Sequence, residues 1–432
     1  MKIILLILDG LGDRSYPELD HQTPLQAART PNMDRLATIG ANGVFHAASP
    51  GVALPSEIAH FLLFGYDISE FPGRGLLEAV GAALPFDDKA ILSLAHLAKV
   101  RFEKNSALLV QGRDDVEGSA QELAKYYRQI ESYEAAGISC KLHQIQRNDA
   151  ILVVSGDVSP DVSDSDPVLL NYPIALIQPL GTAAEFHKAG QTADFLNNYL
   201  FYCHDRLSRK HPKAPVNCLV TQRFGQRRVL PSFKEKWGLK AQMHASGDVY
   251  KGMAEELGMA FVKYKDTESP GKDLTERISD AISDGTYDFI HVHTKTPDAA
   301  SHKGDPWLKK QVIESLDAAT TELVDALNSR SDILLVLTAD HSTPCRSRMV
   351  HSGETVPLTI AGGSVRRDRV NQFDEVSAVA GSLGQIRGRE LMQMVLNSAD
   401  RSLLAGLCLG SRQTAYIPGP GDYARHPLKK WN

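Results

Sequence analysis

The sequence predicts an α/β protein: a central, mostly parallel sheet sandwiched by helices, with a smaller α+β domain inserted into it. Three observations carry that expectation. Short apolar runs at residues 3–8 and 333–337 read as strands buried on both faces. Amphipathic helical stretches separate such runs, as parallel neighbours require. From about residue 85 the texture changes to shorter strand-like segments, and the earlier pattern resumes near residue 287. At 432 residues the chain is long enough for two domains. The expected boundaries give a discontinuous domain of residues 1–85 and 266–415, an inserted domain of 86–265, and a C-terminal tail of 416–432.

Taken in order, residues 2–8 form the first strand, which ends at Asp9 and Gly10. A helix follows, with Thr30 as cap, Pro31 at its first position, Met33, Leu36 and Ala37 on one face, and Gly40 closing it. Pro55 and Ser56 precede another helical run, which puts Ser56 where an N-cap would sit. In the inserted stretch, residues 107–111, 150–156 and 217–222 read as strands and 119–137 as an amphipathic helix ended by Gly137. Charged and proline-containing stretches near 204–215 and 265–274 read as loops or hinges. Residues 287–293 form the next buried strand. Beyond it, Asp298 and His302 are four apart, so a helical turn puts both on one side. Residues 305–330 read as one long amphipathic helix leading to the strand at 333–337, with Asp340, His341 and His351 beyond its end. A short strand at 357–362, a helix around 389–397 and a loosely ordered tail complete the chain.

Apolar residues make up 43% and charged residues 23% of the chain, and the net charge of −5 gives no reason to expect nucleic acid or an anionic membrane as partner. The N-terminal apolar run is too short for a signal-peptide core, and no run approaches the length of a membrane span. Cysteines at 140, 203, 218, 345 and 408 lack CxxC spacing, which argues for reduced thiols and against disulfides or a zinc knuckle. The protein is expected to be cytoplasmic. Oligomeric state is left open.

Ligands of open α/β sheets bind just outside the carboxyl ends of the strands. Asp9, Asp298, His302, Asp340, His341 and His351 gather there, with Ser56 at a helix start. Each alone has an ordinary explanation: a turn, a helix cap, a solvated histidine. Together they are carboxylates and imidazoles of the kind that bind zinc or manganese. Six such ligands exceed what one catalytic zinc takes. They suit two divalent ions about 3.5–4 Å apart, the usual arrangement for in-line displacement at phosphorus. A serine beside such an ion becomes a nucleophile, and phosphoryl transfer through a phosphoserine follows. Cys345 lies near this group but is not expected to be a ligand.

With these residues the sequence resembles the archaeal-type, 2,3-bisphosphoglycerate-independent phosphoglycerate mutases of the alkaline phosphatase superfamily. The segments LDGLGDR, TPLQAARTPNMDRLA, AHFLLFGYD, GRGLLEAVGA, PSFKEKWGLKA, HTKTPDAASHKGD, ADHSTPC, HSGETVPLTIAG and LGQIRGRELM carry the likeness over most of the chain. The resemblance implies an alkaline-phosphatase-like core with an insertion that contacts substrate. It implies one metal site from Asp9, Ser56, Asp340 and His341, and another from Asp298, His302 and His351, with Ser56 phosphorylated in turnover. It also implies interconversion of 2- and 3-phosphoglycerate. Departures bear on substrate. Where the family usually reads Gly-Ser-Asp, this chain has Pro55, Ser56 and Glu57. Its Arg-x-Asn-Phe-Ala-Thr-like strand is replaced here by residues 92–97, LSLAHL, and the basic stretch that follows is reduced to residues 111–114, QGRD. Lys295, Arg74, Arg113 and Arg223 are the candidate anion contacts. The alternative expectation is a phosphomonoester hydrolase or another phosphomutase acting on a different small phosphorylated molecule.

Overall fold

The computed structural model describes residues 1–104, 106–181 and 186–428. It divides into two compact units: Met1–Glu70 with the chain from Leu230 onward, and Phe71–Val229.

The first unit is built on an eight-stranded sheet. Its order is Ala260–Lys263, Ala241–Ala245, Phe289–Thr294, Lys2–Leu8, Ile333–Thr338, Val356–Gly362, Gly40–His46 and Gly384–Arg387. The first five strands run parallel. Val356–Gly362 is antiparallel to both of its neighbours, and Gly384–Arg387 is parallel to Gly40–His46. Lys2–Leu8 lies at the centre and pairs along its length with Phe289–Thr294 and Ile333–Thr338. Its residues Ile3 to Leu8 are 0–1% exposed. A strand covered on both faces must be apolar at every position, which is why it reads as a continuous run rather than an alternation.

The second unit holds a six-stranded sheet in which Ile91–Glu103 pairs with Ser106–Gln111, Ala150–Ser155 and Cys218–Gln226, all antiparallel. The helix Phe186–Lys210 contributes Phe195, Leu196, Tyr199, Cys203 and Leu207 to its core.

Several sequence expectations are corrected. The unit boundaries fall at 70/71 and 229/230 rather than 85/86 and 265/266. The helix Arg74–Gly81 packs on the strand Ile91–Glu103, with Gly75 backed closely against Ser93, whereas strands Ala241–Ala245 and Ala260–Lys263 extend the large sheet. The expected helix at 119–137 stops at Tyr127. Residues Ser132–Ala135 form a hairpin with Ile138–Gln144, turned by Ala136 and Gly137, both at positive φ. Ser132 and Glu134 point outward while Tyr133 and Ala135 are half-buried, a period of two that the longer helical pattern masked. The helix at 305–330 is two, Pro306–Ala319 and Thr321–Ser329; at the break, the Thr320 hydroxyl donates to the Asp317 carbonyl. Part of 204–215 belongs to the helix ending at Lys210, and 270–274 opens the helix Pro270–Ser283. Beyond Ser398, the described residues up to 428 form no further helix or strand, and residues 429–432 of the expected tail lie outside the described residues. No helix among the described residues is long and apolar enough to cross a membrane.

Candidate metal centre

The three central parallel strands end together. Ile7 is level with both His293 and Thr338, so Asp9, the start of the helix Thr296–Ser301 and Asp340–His341 emerge at one edge. Asp9 follows its strand directly, and Asp340 follows Ile333–Thr338 by two residues. Asp298 sits in the first turn of that short helix, and His302 caps its far end. His351 arrives in the loop before Val356–Gly362. Ser56 is the first residue of the helix Ser56–Leu63 and not its cap. Pro55 holds the cap position and supplies no side-chain bond, so the expected N-cap role of Ser56 is corrected. Its hydroxyl is turned to the site instead.

All seven side chains named from the sequence come together. His341 Nε2 lies 3.0 Å from Ser56 Oγ, 3.3 Å from Asp9 Oδ1 and 3.3 Å from Asp340 Oδ2. Asp298 Oδ1 lies 3.3 Å from His302 Nε2 and 3.5 Å from His351 Nε2. The His341 and His351 rings stack with centroids 3.9 Å apart, so the two groups adjoin. The donor atoms of Asp9, Asp340 and His341, and those of Asp298, His341 and His351, fall within 4.8 Å of one another. His341 therefore belongs to both clusters, where the sequence assigned it to one.

The donor set fits divalent ions. Asp9 and Asp340 are buried with donor atoms within 4.8 Å of each other, and buried Asp298 lies as close to the same His341 ring, an arrangement of carboxylates that costs several kcal/mol unless positive charge compensates it. Asp340 Oδ1 accepts the backbone N–H groups of Gly10 at 3.1 Å and His341 at 3.0 Å, whereas its buried Oδ2 has no hydrogen-bond partner. Asp9 Oδ2 accepts from His293 at 3.1 Å and Tyr250 at 3.2 Å, which leaves Oδ1 facing the cluster. His351 Nδ1 donates to the Leu54 carbonyl at 2.7 Å, so its Nε2 is the lone-pair nitrogen. His341 is fixed in the same way: Thr343 Oγ1 donates to Asp298 at 2.8 Å and accepts from His341 Nδ1 at 3.1 Å. Outer partners that set the tautomer of a histidine are the usual company of a metal ligand.

Electrostatics agree. Burial alone would push the Asp9 carboxyl up, but His293 and His341 hold it well below the usual carboxylate range. Burial likewise opposes ionisation of Asp298, and the hydrogen bond from His302 is the larger of the contacts that hold its carboxyl low. For His341 burial works against the charged ring, yet the charges of Asp340, Asp9 and Asp298 raise it to about 9.

Sequence reasoning missed the supporting residues. His60 follows Ser56 by one helical turn, bonds the Ser56 carbonyl through Nδ1 at 2.8 Å and lies 3.4 Å from Asp340 Oδ2. His293 and Tyr250 hold Asp9. The i, i+4 spacing of Ser56 and His60 was a readable signal; that of Tyr250, some 240 residues from Asp9, was not. Cys345 is not directed at the cluster. Its Sγ lies 3.1 Å from Asp13 Oδ2, and burial with the Asp13 charge pushes its thiol up to about 12. Among the expected anion contacts, Lys295 is exposed at the cap of the helix bearing Asp298. Arg74 pairs with Glu78 at 3.1 Å, and Arg113 makes two bonds to Asp149 at 2.5 and 2.6 Å, both within the second unit. Arg223, in the same unit, has positive φ, and its N–H donates to Asp164.

Residues 1–398 match the model of the metalloenzyme superfamily. The chain is 39% identical to 2,3-bisphosphoglycerate-independent phosphoglycerate mutase 2 of Methanocaldococcus jannaschii, over 97% of this chain and 98% of that protein. It is 34% identical to a 2,3-bisphosphoglycerate-independent phosphoglycerate mutase of Pyrococcus abyssi, over 93% and 98%. Among solved structures, it resembles a protein of Pyrococcus horikoshii with a TM-score of 0.72 and 28% identity, covering 94% of this chain and 99% of that one. It also resembles the cofactor-independent phosphoglycerate mutase of Thermoplasma acidophilum, with a TM-score of 0.58 and 28% identity over 92% and 100%.

Proposed function

Because the chain belongs to the 2,3-bisphosphoglycerate-independent phosphoglycerate mutase family of the metalloenzyme superfamily, we propose that it interconverts 2- and 3-phosphoglycerate through a phosphoserine at Ser56. The observation that carries this reading is the Ser56 hydroxyl, 3.0 Å from His341 Nε2 and 3.4 Å from Asp9 Oδ1, at the start of a helix that no side chain caps. Asp9, Ser56, Asp340 and His341 would hold one divalent ion and Asp298, His302 and His351 the other, with manganese or zinc the metals such donors suit. Bound ions of this kind supply Lewis-acid neutralisation of the phosphoryl oxygens. The chain itself supplies the rest. Ser56 Oγ attacks phosphorus and takes the phosphoryl group from one glycerate hydroxyl, then returns it to the other hydroxyl of the same molecule. The N-terminal end of the helix Ser56–Leu63 favours the negative charge that collects there. Lys295, at the cap of the helix that bears Asp298, would hold the substrate carboxylate. The free cysteines accord with a reducing cytoplasm.

A second reading, a phosphomonoester hydrolase, is favoured by one observation. Residues 91–98 are all buried inside the second unit, and the stretch 92–97 carries neither Arg nor Asn. Ser56 is tested by a brief reaction with 3-phosphoglycerate followed by acid quench and peptide mass spectrometry. A phosphorylated Ser56 peptide is expected in the wild type and none in Ser56→Ala, whose transfer rate should fall at least about 1,000-fold. Full activity of Ser56→Ala would remove the phosphoserine route.

A further inference from the structure

A buried ammonium sits behind the cluster and touches none of its members. Lys309, on the helix Pro306–Ala319, has a side chain 0% exposed, as has its partner Asp13. Its three N–H bonds are shared among four oxygens: the Gly10 carbonyl at 2.9 Å, and the Gly12 carbonyl, the Thr343 carbonyl and Asp13 Oδ2 at 3.0 Å each. Three carbonyls and a carboxylate around one cation form an oxygen cage. Two of the carbonyls belong to the loop that follows Asp9, and one to the loop that follows His341. Asp13 extends the tie by accepting from the N–H of Arg14 at 2.7 Å, Tyr16 OH at 2.6 Å and the N–H of Cys345 at 3.3 Å. The side chain of Thr343, whose carbonyl Lys309 holds, bonds both Asp298 and His341.

We propose that Lys309, together with Asp13, is a positioning residue that locks the two ligand-bearing loops in register and so sets the spacing of the two metal clusters. The inference rests on the metal-centre reading of Asp9, Asp298, Asp340, His341 and His351. An ammonium suits the task because it can draw in backbone carbonyls from both loops at once, which a neutral side chain of the same length cannot do. Removing Lys309 alone also strands the Asp13 carboxylate in the interior, and that destabilises any fold. A merely structural ion pair and a positioning residue therefore differ in what happens when both charges are removed.

The test uses the full chain and titrates Mn²⁺ by calorimetry, with Tm measured alongside. Lys309→Met is expected to lower Tm and to weaken metal binding about 10–100-fold, the usual effect of losing an outer-sphere partner. The double variant Lys309→Met with Asp13→Asn is expected to regain most of the Tm but not the metal affinity, because the Gly10, Gly12 and Thr343 carbonyls are still untied. Metal affinity that recovers with Tm, or that stays within two-fold of the wild type in Lys309→Met, overturns the inference. Should Lys309→Met not fold, the double variant carries the comparison. A wild-type protein that binds no divalent ion overturns the metal-centre reading itself, and the inference with it.

Discussion

At the residue scale, side chains that look ordinary in sequence acquire roles from their neighbours. Ser56 has the residue type and position of a helix cap, but as the first helical residue it directs its hydroxyl to His341 and Asp9. Asp9, Asp340 and His341 were legible because they follow apolar runs at strand ends. Lys309 and Thr343 were not, since a lysine in an amphipathic helix and a threonine in a loop carry no local mark of burial, and the strand that buries His293 gives no sign that its ring reaches Asp9. Glu375 is another hidden case. Its carboxyl accepts from the Thr23 hydroxyl at 2.8 Å and the Asp13 N–H at 3.2 Å, and burial raises it to about 7 despite these bonds and the charge of Lys309. A carboxyl raised in the fold contributes most stability below its unfolded value of about 4.3, and that contribution is lost as pH rises through about 7. Glu375→Gln removes the titration. Its stability relative to the wild type should therefore improve by about 1 kcal/mol or more between pH 5 and pH 8. Urea unfolding at the two pH values measures this, and a difference that does not change with pH would contradict it.

At the element scale, the site depends on loops packed as closely as a protein core. The central strands were readable because double-sided burial leaves only apolar residues. The hairpin at 132–144 and the break at Thr320 were not, because short strands and local hydroxyl bonds compete on nearly equal terms with helix. Gly10 shows how tight the loops are. Its φ is +65°, and a Cβ there would come 2.6 Å from Thr343 Oγ1 and 2.8 Å from Asp298 Cβ. Gly10→Ala should cost about 1–3 kcal/mol of stability from backbone strain. It should also weaken metal binding by displacing Asp298 and Thr343. Thermal unfolding with and without Mn²⁺ tests both effects. The Tm gain on adding metal is expected to shrink in the variant, and an unchanged gain would separate the strain from the site.

At the scale of the whole molecule, the unit that carries the candidate metal centre is made of two chain segments, and the chain between them forms the second unit. The chemistry of phosphoryl transfer was legible from the first unit alone. The identity of the substrate was less so, because the positions expected to hold it in the second unit are buried and carry no Arg or Asn, or are paired cations such as Arg113. A mutase must return the phosphoryl group to the glycerate that gave it, whereas a hydrolase passes it to water. The most direct measurement follows 3-phosphoglycerate by phosphorus NMR with the Mn²⁺-loaded protein and no added 2,3-bisphosphoglycerate. The account predicts a 2-phosphoglycerate signal growing to equilibrium without free phosphate, and release of inorganic phosphate alone, or no conversion at all, would contradict it.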